Sequence, residues 1–234
     1  MISYPEGKVL WSTKQAGNNP HCIEILPSGN IVVASSTGST LRMFKTSALL
    51  KNDKTTADTY VDTGLYGAHG VLWDPAYELL WCLGDDVLQA FSLSGEGVEE
   101  KMVRNVKKCT NLPSDGGHSI AADFVDSDYL YLSTNTAVYR FNKKACAYIP
   151  VFPGSEVVST KTVKGVAHNG NGNFFLAIPN GGKGTPWQSS SYSGWDTDTL
   201  IYCYEEDGKY VKESFKSSKG RAIYKISPFN GQYQ

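Results

Sequence analysis

A four-part pattern recurs along this chain at a nearly fixed interval. "HCIEILPSGNIVVASS" begins at His21, "HGVLWDPAYELLWCLG" at His69, "HSIAADFVDSDYLYLST" at His118 and "KGVAHNGNGNFFLAIPN" at Lys164, so the starts lie 48, 49 and 46 residues apart. Each copy opens on a polar residue, runs through a short strand and a turn, and returns as an apolar strand. A third strand follows each copy: "TLRMFKTS", "VLQAFSLS", "AVYRFNKK" and "TLIYCYEEDG". A more polar fourth comes after, as in "TTADTYVDTG" and "YVKESFKSS". Four strands per unit at this period predict the blades of an all-β propeller. One such sheet cannot cover both of its own faces, so neighbours must stack. A two-sheet sandwich also has regularly spaced strands, but it does not carry a fixed sequence period.

Four blades occupy residues 19–218 and leave two remnants. "KVLWSTK" reads as an outer strand and "RAIYKISPF" as an inner one, with "MISYP" as a candidate middle strand. Together they predict a fifth blade built from both chain ends, which would close the ring and remove two open edges. The alternative is a six-bladed propeller lacking its N-terminal part. Either way residues 1–234 are expected to form a single propeller domain, and that length suits one all-β domain.

The charge balance excludes whole classes of partner. With 22 basic and 23 acidic residues the formal charge is −1, which gives no electrostatic footprint for nucleic acid or an anionic membrane. No apolar run reaches the length of a membrane span. The five cysteines, Cys22, Cys82, Cys109, Cys146 and Cys203, form no CxxC pair. They read as reduced residues of a cytosol-like compartment, so a cytoplasmic location is expected, or a secreted one if a signal peptide has been removed.

Four stretches, "GAHGVLWD", "GGHSI", "NPHCIEILPSGNIVVASS" and "GWDTDTL…RAIYKI", carry a family resemblance. The chain resembles an uncharacterised, mostly bacterial propeller family known only as a domain of unknown function. The resemblance covers nearly the whole chain and implies the fold, with no established activity. Members of that family carry a further N-terminal stretch of about one blade or more.

In a propeller the innermost strands run along the axis, so equivalent ends of these strands converge. His21, His69, His118 and Lys164 share one repeat position and are expected to ring one channel mouth, as candidate catalytic residues. Three imidazoles, His21, His69 and His118, also suit a divalent metal such as Zn, Mn, Fe or Ni. Such a metal would polarise a carboxylate or acidify a water, by analogy with propeller polysaccharide lyases. Lys164 argues against a simple ring of metal ligands, because an ammonium beside a dication is disfavoured. It would instead bind a substrate carboxylate or act as a base. The competing reading makes all four residues structural, bonded to loop carbonyls. His168 breaks the repeat and reads as a satisfied, half-buried histidine.

The loops after the second strand are short in the first three units: "STGS", "GDD" and "TNT". The fourth is "NGGKGTPWQSSSYSGWDTD", residues 180–198, with Trp187, Tyr192 and Trp195. Antiparallel neighbours reverse direction, so this loop lies at the end where the first strand starts. Its aromatics are candidate ligand-binding residues for stacking on a sugar ring. Asp85, Asp86 and Asn135 lie in the matching short loops and are expected to add polar contacts. No GxSxG elbow, P-loop, Rossmann fingerprint, HExxH or EF-hand loop is present, and "NGNGN" is turn chemistry.

Three functions remain. The first is a carbohydrate-active lyase or hydrolase that uses the histidine cluster. The second is a non-catalytic module that binds a glycan or small polar ligand at the same mouth. The third is a protein-interaction scaffold.

Overall fold

The computed structural model describes residues 1–3, 5–13, 18–46, 59–180, 195–216 and 223–227. They fall into two compact units, Met1–Cys109 and Thr110–Gln234.

The first unit holds two meandering antiparallel sheets. Sheet I runs in the order β1 (Pro20–Ile25), β2 (Ile31–Ser35), β3 (Thr40–Phe44), β4 (Tyr60–Gly64). Sheet II is formed by β5 (Gly70–Asp74), β6 (Leu79–Leu83), β7 (Val87–Ser94) and β8 (Lys101–Arg104) in the same order. A two-residue strand, β9 (Thr110–Asn111), comes next in the chain. In the second unit sheet III comprises β10 (Ser119–Ala122), β11 (Tyr129–Ser133), β12 (Val138–Asn142) and β13 (Ala147–Ile149). A one-turn helix, α1 (Ser155–Val158), leads to sheet IV. Its strands are β14 (Gly165–His168), β15 (Phe174–Ala177), β16 (Thr199–Glu206) and β17 (Lys209–Lys216).

Burial explains the strand chemistry. The second strands "IVVAS" and "LLWCL" are buried at every position, and so is all of "YLYLS" but its first residue. Such strands are apolar on both faces, not alternating. The fourth strands β4 and β17 are mostly exposed and are correspondingly polar. The turns are local side-chain devices. In "NGNGN" the Oδ1 of Asn169 accepts the backbone N–H of Asn171 and of Asn173, both at 3.0 Å. That is an Asx turn, with no cradle for phosphate.

Within each unit, consecutive sheets meet through their first strands. Val32, Leu41 and Met43 of sheet I share a core with Val71, Leu80, Cys82 and Phe91 of sheet II. Ala121, Tyr131 and Val138 of sheet III share one with Val166, Phe174, Leu176 and Cys203 of sheet IV. A polar link of fixed design accompanies each contact. In the first unit Cys22 Sγ approaches the Val71 carbonyl at 3.5 Å, and the Trp73 N–H donates to Glu24 at 3.1 Å. In the second, the Val166 N–H donates to Ser119 Oγ at 3.2 Å. Four-stranded antiparallel sheets, repeated in sequence and stacked by their first strands, are the blades of a β-propeller.

The end segments contribute isolated bridges, Ile2 to Val9 and Thr197 to Ile223. No fifth sheet is present among the described residues, and parts of both predicted end strands lie outside them. All five cysteines are free thiols. Among the described residues no helix is long and apolar enough to cross a membrane.

Candidate functional site

The repeat places its opening residue identically in three sheets. The N–H groups of His69, His118 and Lys164 donate to the carbonyls of Leu83, Ser133 and Ala177 at 2.8–2.9 Å, each at the far end of the second strand. The side chain is thereby set beside the loop joining second and third strands. In sheet I the corresponding loop contact is His21 Nε2 to Ser36 Oγ, 2.8 Å.

In the first unit His21 and His69 lie together. Their ring centroids are 4.1 Å apart with planes 31° from parallel. Asn19 donates its amide N–H to His21 Nε2 at 3.0 Å. The His69 Nδ1–H donates to the Gly67 carbonyl at 2.7 Å, which fixes its tautomer. Asp85 is half-buried against Gly67, and Asp86 is exposed. Beside His21 lies a cleft of about 330 Å³, lined by Trp11, Thr13, Pro20, Cys22, Ile23 and Val33 as well as His21.

In the second unit His118 and Lys164 are buried together, 6% and 5% exposed. Lys164 Nζ lies 2.6 Å from His118 Nε2, and Asn135 Oδ1 lies 2.8 Å from the same ring nitrogen. Lys225 donates its ammonium to the His118 carbonyl. The segment carrying Lys225 passes close over sheet IV. A Cβ on Gly165 would stand 3.1 Å from the Ile226 nitrogen, so glycine permits this approach. Above the pair, the Trp195 ring centroid lies 5.0 Å from Lys164 Nζ, and Trp195 itself is 57% exposed. Burial pushes the Lys164 amine down to about 8, because a low-dielectric setting disfavours the ammonium. Nearby, Ser114 Oγ bonds Thr134 Oγ1 and Thr136 Oγ1, each at 2.7 Å.

Asn135 is held by its neighbour across the cluster. Gly116 has φ +70°, and a Cβ there would fall inside the Asn135 carboxamide. Gly116→Ala is therefore expected to displace the amide from His118 and to cost about 1–2 kcal/mol through the positive φ and the clash. A urea melt measures the cost, and the ring signals of His118 in a nuclear magnetic resonance titration report the lost amide contact.

Among the described residues, no group of three or more His, Cys, Asp or Glu side chains is positioned to hold a metal ion. The expected centre draws His21 and His69 from the first unit and His118 from the second. Of the three tryptophan-loop aromatics, Trp195 lies against Lys164, whereas Trp187 and Tyr192 lie outside the described residues. His168 is more buried than its expected half-burial, at 2% exposure. It accepts the Phe124 N–H at Nδ1, 3.2 Å away. Sequence reasoning passed over Asn19, Gly67, Gly116 and Lys225. A polar residue one or two positions after the second strand in sheets I to III (Ser36, Asp85, Asn135) was the available signal for part of this set.

Comparison with known proteins adds fold and family. No curated protein matches the sequence. A protein of unknown function from Bacteroides caccae superposes with a TM-score of 0.56 at 14% identity, over 96% of this chain and 77% of that one. A protein from Lactobacillus plantarum gives 0.53 at 10% identity, over 92% and 60%. The extracellular domain of BT3049 from B. thetaiotaomicron gives 0.53 at 11% identity, over 84% of this chain; the match spans only 24% of that chain. At these identities the likeness is one of fold. The sequence itself matches a family model over residues 1–181, more than three quarters of its length, and the chain belongs to that family of unknown function, DUF6528.

Proposed function

We propose that residues 1–234 form one propeller domain that binds a hydroxyl-rich ligand, a glycan or a small sugar, at the ends of its first strands. The observation that carries this reading is the second-unit cluster: a buried Lys164–His118 pair with Asn135 at its edge and the exposed Trp195 ring above it. Amide, imidazole and amine nitrogens offer mixed donors and acceptors suited to sugar hydroxyls. An indole face suits the apolar face of a sugar ring. A further sign is Ser133, fully buried beside His118, whose Oγ has no hydrogen-bond partner among the described residues. Buried polar groups without partners call for an account, and a polar ligand or its water would supply one. Trp187 and Tyr192, from the same loop as Trp195, remain proposed contributors to this ligand. No donor set among the described residues supports a metal-dependent lyase or hydrolase.

Calorimetric titration with neutral and uronate-containing oligosaccharides tests the reading. Trp195→Ala is expected to weaken the best ligand about tenfold, equivalent to about 1.4 kcal/mol. Unchanged affinity in that variant, or no binding by any oligosaccharide, would sink it and leave the scaffold reading in its place.

A further inference from the structure

We propose that Lys164 is an amine nucleophile that condenses with the aldehyde of a small reducing sugar, with His118 carrying the proton. The inference rests on the proposed sugar-binding reading and deepens it by naming the reactive group of the ligand.

The argument is geometric. An amide oxygen only accepts hydrogen bonds. With Asn135 Oδ1 at 2.8 Å, the tautomer that carries hydrogen on His118 Nε2 satisfies the amide oxygen. Lys164 Nζ stands 2.6 Å from that same nitrogen. An ammonium pressed against an N–H has no lone pair to offer it, whereas a neutral amine has one. In that tautomer the contact favours the amine form, and burial acts in the same direction. A second lysine, Lys225, donates to the His118 carbonyl. Desolvation is one way in which proteins make lysine nucleophilic. Other described lysines are placed differently. Lys45 donates to the Glu100 carbonyl, and Lys144 is paired with Asp128 at 2.7 Å with its side chain 69% exposed.

The chemistry balances without an external reagent. The Nζ lone pair attacks the carbonyl carbon, and the C–N bond forms as the carbonyl π bond opens onto oxygen. The His118 Nε2–H protonates that oxygen and the freed Nε2 takes a proton from the nitrogen, giving the carbinolamine; a second exchange of the same kind protonates the hydroxyl, which leaves as water, and returns the iminium proton to Nε2. The product is an imine at Nζ, and hydrolysis reverses each step.

The test uses the full chain with glycolaldehyde and cyanoborohydride at pH 8, followed by peptide mass mapping. Lys164 is expected to be alkylated at least about tenfold faster than Lys144, with a rate that rises as pH passes through 8. His118→Gln should slow residue 164 about tenfold or more and leave Lys144 unchanged. Labelling of Lys164 no faster than that of Lys144 in the wild-type protein overturns the proposal, whatever the variant does. Methyl glycosides, which have no free aldehyde, separate the two ideas. If they bind in a Trp195-dependent way while Lys164 stays unlabelled, the covalent step is wrong and the binding reading stands. If they do not bind and Lys164 is unlabelled, both fall.

Discussion

Asp123→Ala is expected to lower the free energy of unfolding by about 3–5 kcal/mol, the range for removing one partner of a buried ion pair. Asp123 is 3% exposed. Its Oδ2 accepts from Arg140 Nε at 2.9 Å and lies 2.8 Å from Arg140 Nη2. Its Oδ1 accepts the backbone N–H groups of Val125 and Asp126, at 3.0 and 3.1 Å. One carboxylate thus closes the turn between β10 and β11 and neutralises a guanidinium stacked 3.6 Å over Tyr129. Alanine leaves the half-buried guanidinium with only the more distant Asp126 carboxylate, at 3.8 Å, and the turn without its acceptor. Asp123→Asn keeps an acceptor for the turn and should lose less. Urea unfolding of the three proteins measures the ranking, and a loss under about 1 kcal/mol for alanine would show that water replaces the carboxylate.

The same cluster gives a pH dependence. His168 is packed against Tyr131 and Phe174, with ring centroids 4.8 and 4.6 Å away, and lies 3.4 Å from Asp123. Burial pushes its pKa below the ordinary value, with Arg140 adding to the fall and Asp123 opposing it. The folded protein therefore binds this proton less readily than the unfolded chain does. Stability is full above the imidazole's ordinary pKa of about 6.5 and declines as pH falls through that value. His168→Gln should flatten this part of the profile.

The second large effect has the opposite sign. Lys164→Met is expected to stabilise the protein by about 2 kcal/mol at pH 7 while weakening ligand binding. Folding lowers the lysine from 10.5 to about 8, so the unfolded chain binds the proton more tightly across that interval. The wild type is therefore handicapped below pH 8, recovers as pH rises from 8 to 10.5, and should match the variant above that. Unfolding midpoints at pH 7 and pH 10 decide it. A variant less stable than wild type at pH 7 would mean that the amine's contact with His118 outweighs its burial. A residue that costs stability where methionine would not is a mark of a site kept for function.

The repeat was legible because it is a statement about strands. The first strands start within one residue of His21, His69, His118 and Lys164, and the third strands fall where the third apolar runs stand. Stacking was legible too, since a four-stranded sheet with two apolar faces requires it. The side-chain partners were not. Asp123 reads as a turn former in "DFVDSD", and its bond to Arg140 joins residues 17 apart that only the β11–β12 register brings together. Asn135 was readable as a loop amide near the site, but its grip on His118 depends on Gly116, whose role is visible only once both loops have a position. His168 reads as half-buried because it is a polar residue that breaks the repeat. Yet β14 is buried at all four positions, since sheet III covers one of its faces.

The recurring link between first strands has a further consequence for how such a chain tolerates change in length. Sheets I and III each carry one half of this joint, at Cys22 and Ser119, and sheets II and IV the other half, at Val71 and Val166. An added stretch of two full periods would arrive with both halves of its own joint. A shift of a single position along a first strand would instead turn its inward residues to the opposite face, breaking the joint it carries.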